Sequence, residues 1–242
     1  MSLNYAHRGA SGYYPENTML AFQKAVEMGC EGIETDVQLT KDGVLVLCHD
    51  ELVDRTTDGK GLISEINYKD IEKLDAAKLW GGRFKDVKIP TLEELLGYVK
   101  NKDIVVNLEL KNSIIDYKNL EKLVIDMIDK YNLKEKVIIS SFNHYSILRC
   151  KAIDCTLKLG LLYSCRIFQP GKYASELGVS AVHPLFYSLD ETTVREIKEH
   201  KLAINTYTVN DEKYMRELIK LGIDGIITNY PDKLKKVLEE QR

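Results

Sequence analysis

The chain is poor in proline and cysteine, five of each in 242 residues, and no Pro-, Gly- or Ser-rich tract divides it. The cysteines, at positions 30, 48, 150, 155 and 165, are odd in number and form no C-x-x-C pair. That argues against a disulfide scaffold and reads as reduced, mostly buried small hydrophobes of a cytoplasmic protein. Long apolar runs are missing too. Val137-Ile138-Ile139 and Leu161-Leu162-Tyr163 fall far short of the roughly 20 residues that cross a bilayer, so no membrane span is expected. The opening residues, Met-Ser-Leu-Asn-Tyr-Ala-His-Arg, have neither an h-region nor a cleavage site, so no signal peptide is expected. Neither sign of charge dominates: 34 Lys and Arg stand against 37 Asp and Glu, a net charge of −3. Without a basic arm or stripe, nucleic-acid binding is not expected. No G-x-G-x-x-G or Walker loop follows any strand candidate.

What is present is an alternation of short β-branched runs with amphipathic segments, in a chain 44% apolar and 29% charged. Strands are expected at 5–7, 32–38, 44–48, 104–110, 137–141, 158–162, 180–183, 203–208 and 225–228. Helices are expected at 18–28, after the capping box Thr91-x-x-Glu94, at 117–131, and following Asp190 and Asn210. Such alternation implies a mainly parallel sheet. About eight strands in this length, without a dinucleotide fingerprint, favour a TIM-type (β/α)8 barrel over an open sheet. We expect one domain spanning 1–242, with an insertion at about 51–89, where the rhythm breaks. The ninth strand has a local explanation. The segments 32–38 and 44–48 are joined by Thr40-Lys41-Asp42-Gly43, too short for a parallel crossover, so they should form an antiparallel hairpin. A two-residue type I′ turn at Asp42-Gly43 would set His49 across from Asp36 on one face. A three-residue loop would set it across from Thr35, on the other face.

Polar residues cluster where barrel strands should end, the usual location of barrel active sites. Glu34 and Asp36 alternate within one strand and share a face, as do Glu109 and Lys111. Carboxylates in so apolar a run need a partner, and three of them converging call for a cation. Oxygen-only ligands favour one divalent ion, Ca2+ or Mg2+, over zinc. Each acid taken singly is as well explained by an ion pair with Arg or Lys. The histidines divide similarly. His200 lies in a charged helix end and His144 at a helix start, both ordinary surface settings, and His183, before Pro184, is intermediate. His7 and His49 fall at the mouth beside acids and bases, where two imidazoles can take and give a proton near neutral pH.

The ordered motifs Ala6-His7-Arg8-Gly9-Ala10, Pro15-Glu16-Asn17-Thr18, Gly32-Ile33-Glu34-Thr35-Asp36 through Asp42-Gly43, and His49-Asp50 resemble the N-terminal signature of the glycerophosphodiester phosphodiesterases, within the phospholipase C-like superfamily. The resemblance continues through Arg55-Thr56-Thr57-Asp58-Gly59, Ile89-Pro90-Thr91, Asn107-Leu108-Glu109-Leu110-Lys111 and Asp224-Gly225-Ile226-Ile227-Thr228-Asn229-Tyr230-Pro231. It implies a TIM-type barrel that hydrolyses a small-molecule glycerophosphodiester to an alcohol and sn-glycerol 3-phosphate with a divalent metal. Position by position, it makes His7 and His49 the acid–base pair and Glu34, Asp36 and Glu109 the metal ligands. Arg8 and Lys111 would lie beside the phosphate, with Glu16 in support. Where relatives commonly carry Trp in a W-T-V-N run, this chain has Tyr207-Thr208-Val209-Asn210, so Tyr207 would offer its ring to the substrate. Two other readings remain open on the same scaffold: a lysophospholipid or sphingolipid headgroup phosphodiesterase, favoured by a hydrophobic mouth, and a non-catalytic phospholigand-binding barrel.

Overall fold

The computed structural model describes residues 2–241. Its strands are β1 (Leu3–His7), β2 (Gly32–Leu39), β3 (Leu45–Leu47), β4 (Val105–Leu110), β5 (Val137–Ser141), β6 (Lys158–Tyr163), β7 (Ala181–Pro184), β8 (Ala203–Thr206) and β9 (Gly225–Thr228). Eight of them pair in parallel in the order β1-β9-β8-β7-β6-β5-β4-β2, and β1 pairs with β2 to close the ring. This is the (β/α)8 barrel. Helices on its outside include Met19–Glu27, Leu92–Val99, Leu120–Tyr131 and His144–Ile153. The side chain of Thr18 caps the first, and the Thr91/Glu94 box caps the second. The third starts three residues later than its periodicity predicts, because Asn119 adopts a left-handed φ of 65°. Among the described residues, no helix is long and apolar enough to cross a membrane.

The extra strand is β3, antiparallel to β2 as expected. Its register differs from the favoured expectation. Val37 faces Leu47 and Leu39 faces Leu45, so the connection is the three-residue loop 41–43. The Gly43 N–H donates to the Thr40 carbonyl, and the Thr40 N–H donates to the Val44 carbonyl. Only Gly43, at φ 84°, is left-handed; a type I′ turn would demand the same of Asp42. The Asp42 carboxylate is instead held in place, accepting from the Thr40 hydroxyl and the Tyr68 N–H. Turn length therefore does not set His49 across from Asp36. Here the Cys48 N–H donates to the Asp36 carbonyl, and a continued ladder would turn His49 to the wrong face.

The chain avoids that outcome by leaving the ladder after Leu47. The buried Gln38 amide nitrogen donates to three successive carbonyls, those of Cys48 (3.0 Å), His49 (3.2 Å) and Asp50 (2.6 Å). Its oxygen accepts from the Tyr117 hydroxyl at 2.7 Å. A turn that would otherwise carry three loose carbonyls is thus clasped, and His49 is delivered by the bend. Beyond it, residues 51–89 run through a 3-10 turn at Ile63–Glu65 and a short helix at Tyr68–Ile71. They bury Val53, Ile63, Ile71, Val87 and Ile89 in a small apolar cluster with Val46 and Cys48, separate from the main barrel core.

Candidate active site

The carboxylates come together as expected. Glu34 and Asp36 on β2 and Glu109 on β4 offer ligand oxygens within 4.8 Å of one another. Register explains this, since Asp36 pairs with Glu109 across β2 and β4. All three are buried, at 4%, 1% and 8% exposure. Burial, reinforced by the Asp36 charge, pushes Glu109 up to about 7, and burial with the Asp36 and Glu109 charges raises Glu34 as well. Burial would raise Asp36 too, but Arg8, Lys111, His49 and the Asn17 amide outweigh it and hold its carboxyl below the ordinary range. Asp36 Oδ1 is buried without a hydrogen-bond partner. An orphaned carboxylate oxygen inside an all-oxygen cluster fits a divalent cation of the Ca2+ or Mg2+ kind.

Two cations of the chain interleave with these acids. Lys111 Nζ lies 2.9 Å from Glu109 Oε1 and 3.8 Å from Asp36 Oδ1. Arg8, just past β1, bonds Glu16 at 2.9 Å and lies 3.2 Å from Asp36 Oδ2. Its left-handed φ of 55° turns the backbone so that its N–H also reaches Glu34 Oε2, at 3.2 Å.

The two histidines are held by different partners. His7 Nδ1 is 2.6 Å from the Asn229 side-chain oxygen, which can only accept. The ring proton therefore sits on Nδ1, leaving the lone pair on Nε2, 3.9 Å from Glu34. Burial, then the Arg8 charge, lowers His7 to about 4. His49 Nδ1 is 2.6 Å from Asp50 Oδ1. Arg55 clasps Asp50 Oδ2 at 2.6 Å and both oxygens of Glu16, at 2.7 and 2.9 Å. Burial alone would raise Asp50, but Arg55 and His49 take it down to about 2, a full carboxylate at neutral pH.

Tyr207 lines a small cleft with His7, Glu34 and Glu109, its hydroxyl donating to the Tyr163 carbonyl at 2.9 Å and its ring edge-on to Phe142. The other histidines lie apart. His144 bonds the Tyr173 hydroxyl and the Leu162 carbonyl, and His200 is on the outer surface beside Glu196 and Ser175. His183 is fully buried in the barrel interior between Asn107 and Asn205. Sequence reasoning missed Asn229, Gln38 and Arg55 as holders of the two imidazoles, although all three lie within the motifs that carry the family resemblance.

The sequence profile of the glycerophosphoryl diester phosphodiesterase family matches residues 7–233. The chain is similar to a glycerophosphodiester phosphodiesterase of Caldanaerobacter subterraneus subsp. tengcongensis, 43% identical over 96% of each chain, and to one of Bacillus altitudinis, 38% identical over the full length of both. Among solved structures it is similar to an Oleispira antarctica phosphodiesterase in complex with the product sn-glycerol-3-phosphate. The TM-score is 0.87 and the identity 30%, covering 97% of this chain and 96% of that one.

Proposed function

The chain belongs to the glycerophosphoryl diester phosphodiesterase family, and from that premise we propose that it hydrolyses glycerophosphodiesters to sn-glycerol 3-phosphate and an alcohol. In this reading Glu34, Asp36 and Glu109 hold one divalent cation, which when bound supplies positive charge to the phosphate oxygens as negative charge builds there. Arg8 and Lys111 orient the same phosphate. His7, with its Nε2 lone pair free, takes the proton from the attacking oxygen. His49, whose ring the Asp50 carboxylate holds through Nδ1, gives a proton to the leaving alkoxide. The observation that carries this reading is that three buried carboxylates gather with Arg8 and Lys111 among them, and that His7 Nε2 lies 3.9 Å from Glu34 in the same cluster.

The test is a panel of glycerophosphodiesters assayed for glycerol 3-phosphate release with EDTA, Mg2+ or Ca2+. Activity should vanish in chelator and return with metal. Thermal stability should rise on adding the ion, because a ligand of the folded state alone stabilises it. Full activity in excess chelator would defeat the metal assignment.

A lysophospholipid substrate is the second reading. It is favoured by Ile114, Phe168 and Tyr187, 78%, 89% and 61% exposed, in the segments that follow β4, β6 and β7. Faster turnover of lysophosphatidylcholine than of glycerophosphocholine would establish it.

A further inference from the structure

After β4 has supplied Glu109, and Lys111 just past its end, the chain runs out through the exposed Ile114. It turns back into the protein at Tyr117, just ahead of the helix Leu120–Tyr131. The Tyr117 ring is buried in the main barrel core. Its backbone is pinned on both sides: its N–H donates to the Ile115 carbonyl, and its carbonyl accepts from the Leu120 N–H. Its hydroxyl has one hydrogen-bond partner among the described residues, Gln38 Oε1 at 2.7 Å. We propose that Tyr117 is a positioning residue for His49. Through Gln38 it fixes the 48–50 turn, and with it the place from which the imidazole protonates the leaving alkoxide. The inference rests on the phosphodiesterase reading above and adds to it a residue that touches no reacting atom.

The chemistry of one amide leads there. The carbonyls of Cys48, His49 and Asp50 can only accept, so Gln38 must turn its nitrogen toward them. That nitrogen has two hydrogens for three acceptors, and the last torsion of a glutamine is broad. The carbonyls alone therefore leave the amide plane loosely set. A donor at the opposite end sets it, and the Tyr117 phenol is that donor. Gln38 is fully buried. Without the hydroxyl its oxygen would be buried and unpaired, and the amide would gain by rotating or withdrawing toward another donor. The His49 carbonyl lies between the other two, so the backbone that carries the imidazole moves with the amide. Asp50, which holds the ring through Nδ1, belongs to the same clasped turn. A slackened clasp would carry ring and carboxylate together. It changes where the imidazole stands more than how its proton is held.

The experiment measures kcat and KM of the metal-loaded enzyme on two esters of sn-glycerol 3-phosphate, with choline and with p-nitrophenol. The choline alkoxide needs a proton to leave, whereas p-nitrophenolate leaves without one. Tyr117→Phe keeps the ring in the core and removes only the hydroxyl. It should lower kcat on the choline ester by about 10–100-fold, with KM unchanged, and leave the p-nitrophenyl ester untouched, which also certifies that the variant is folded. His49→Ala should show the same selectivity between esters with a larger loss. Tyr117→Phe added to His49→Ala should cost nothing further on the choline ester. No loss in Tyr117→Phe, a selectivity unlike that of His49→Ala, or a full additional loss in the double variant would each overturn the positioning role. If His49→Ala slowed both esters alike, His49 would not be the proton donor. That failure belongs to the catalytic reading, and the double variant would still decide whether Tyr117 acts through His49.

Discussion

Deep in the barrel, His183 makes folding depend on pH in a way that can be worked out in advance. It is fully buried, and burial lowers it from 6.5 to about 3. Space for the ring exists because position 160 is glycine: a Cβ there would come within 2.5 Å of His183 Nε2. Between these two values the folded state keeps the ring neutral while the unfolded chain binds a proton. The unfolded state then holds more protons, so stability rises with pH. The contribution is complete above the unfolded value and is lost progressively as pH falls below 6.5, levelling near pH 3. Each unit is worth about 1.4 kcal/mol, so the loss at pH 4.5 is about 2.7 kcal/mol. His183→Gln keeps a neutral hydrogen-bonding group between Asn107 and Asn205 and removes the titration. Carboxylates titrate in the same window, so the quantity to measure is the difference between wild type and variant. By urea unfolding at pH 7.5 and 4.5, that difference should shift by about 2.7 kcal/mol in favour of the variant. In calorimetry, at about 2–4 °C per kcal/mol for a chain of this size, the relative Tm should move by roughly 5–11 °C. Parallel stability curves for the two proteins would refute the reasoning.

His7→Ala and His49→Ala should each lower kcat by about 10²–10⁴-fold, and the double variant should lose far less than the product because both serve one transition state. His200→Ala should be near neutral in the same assay; a loss comparable to that of His49 would undo the assignment. Gln38→Leu should free the 48–50 turn and lower kcat by up to about 100-fold through misplacement of His49. In that case Gln38→Leu added to His49→Ala should cost nothing further in kcat, and a full additional loss would mean that Gln38 acts elsewhere.

The barrel was legible because parallel strands buried on both faces read as β-branched runs, and the limits of β5 and β9 agree with those runs residue for residue. The acidic cluster was legible for a related reason: Glu34 and Asp36 stand two positions apart, and two is the strand period. Glu109 required pairing between β2 and β4, which no local pattern contains, and only its place at the end of a barrel strand pointed to the mouth. The hairpin shows where local chemistry misleads. Asp-Gly signals a tight turn, but Thr40 and Tyr68 engage the Asp42 side chain, and tertiary bonds decided between two loop lengths differing by one residue. His49 then reached the site for a reason invisible in its neighbourhood, an amide on β2 gathering three carbonyls. The holders Asn229 and Arg55 were hidden in the same way, since each is recognised only by what lies across from it.

The separation of the two apolar clusters has a consequence for how the enzyme would wear out. His7 is fastened to β1 and, through Asn229, to the end of β9, both parts of the large core. His49 belongs to the stretch that begins the small cluster of residues 46–89, and Arg55 ties it back across the gap to Glu16. His49 and His7 therefore ride on foundations of unequal strength. A core that buries less apolar surface yields first. The working lifetime of the catalyst would be set by the weaker foundation: the barrel, its acids and His7 can stay in order after the far bank of the site has given way.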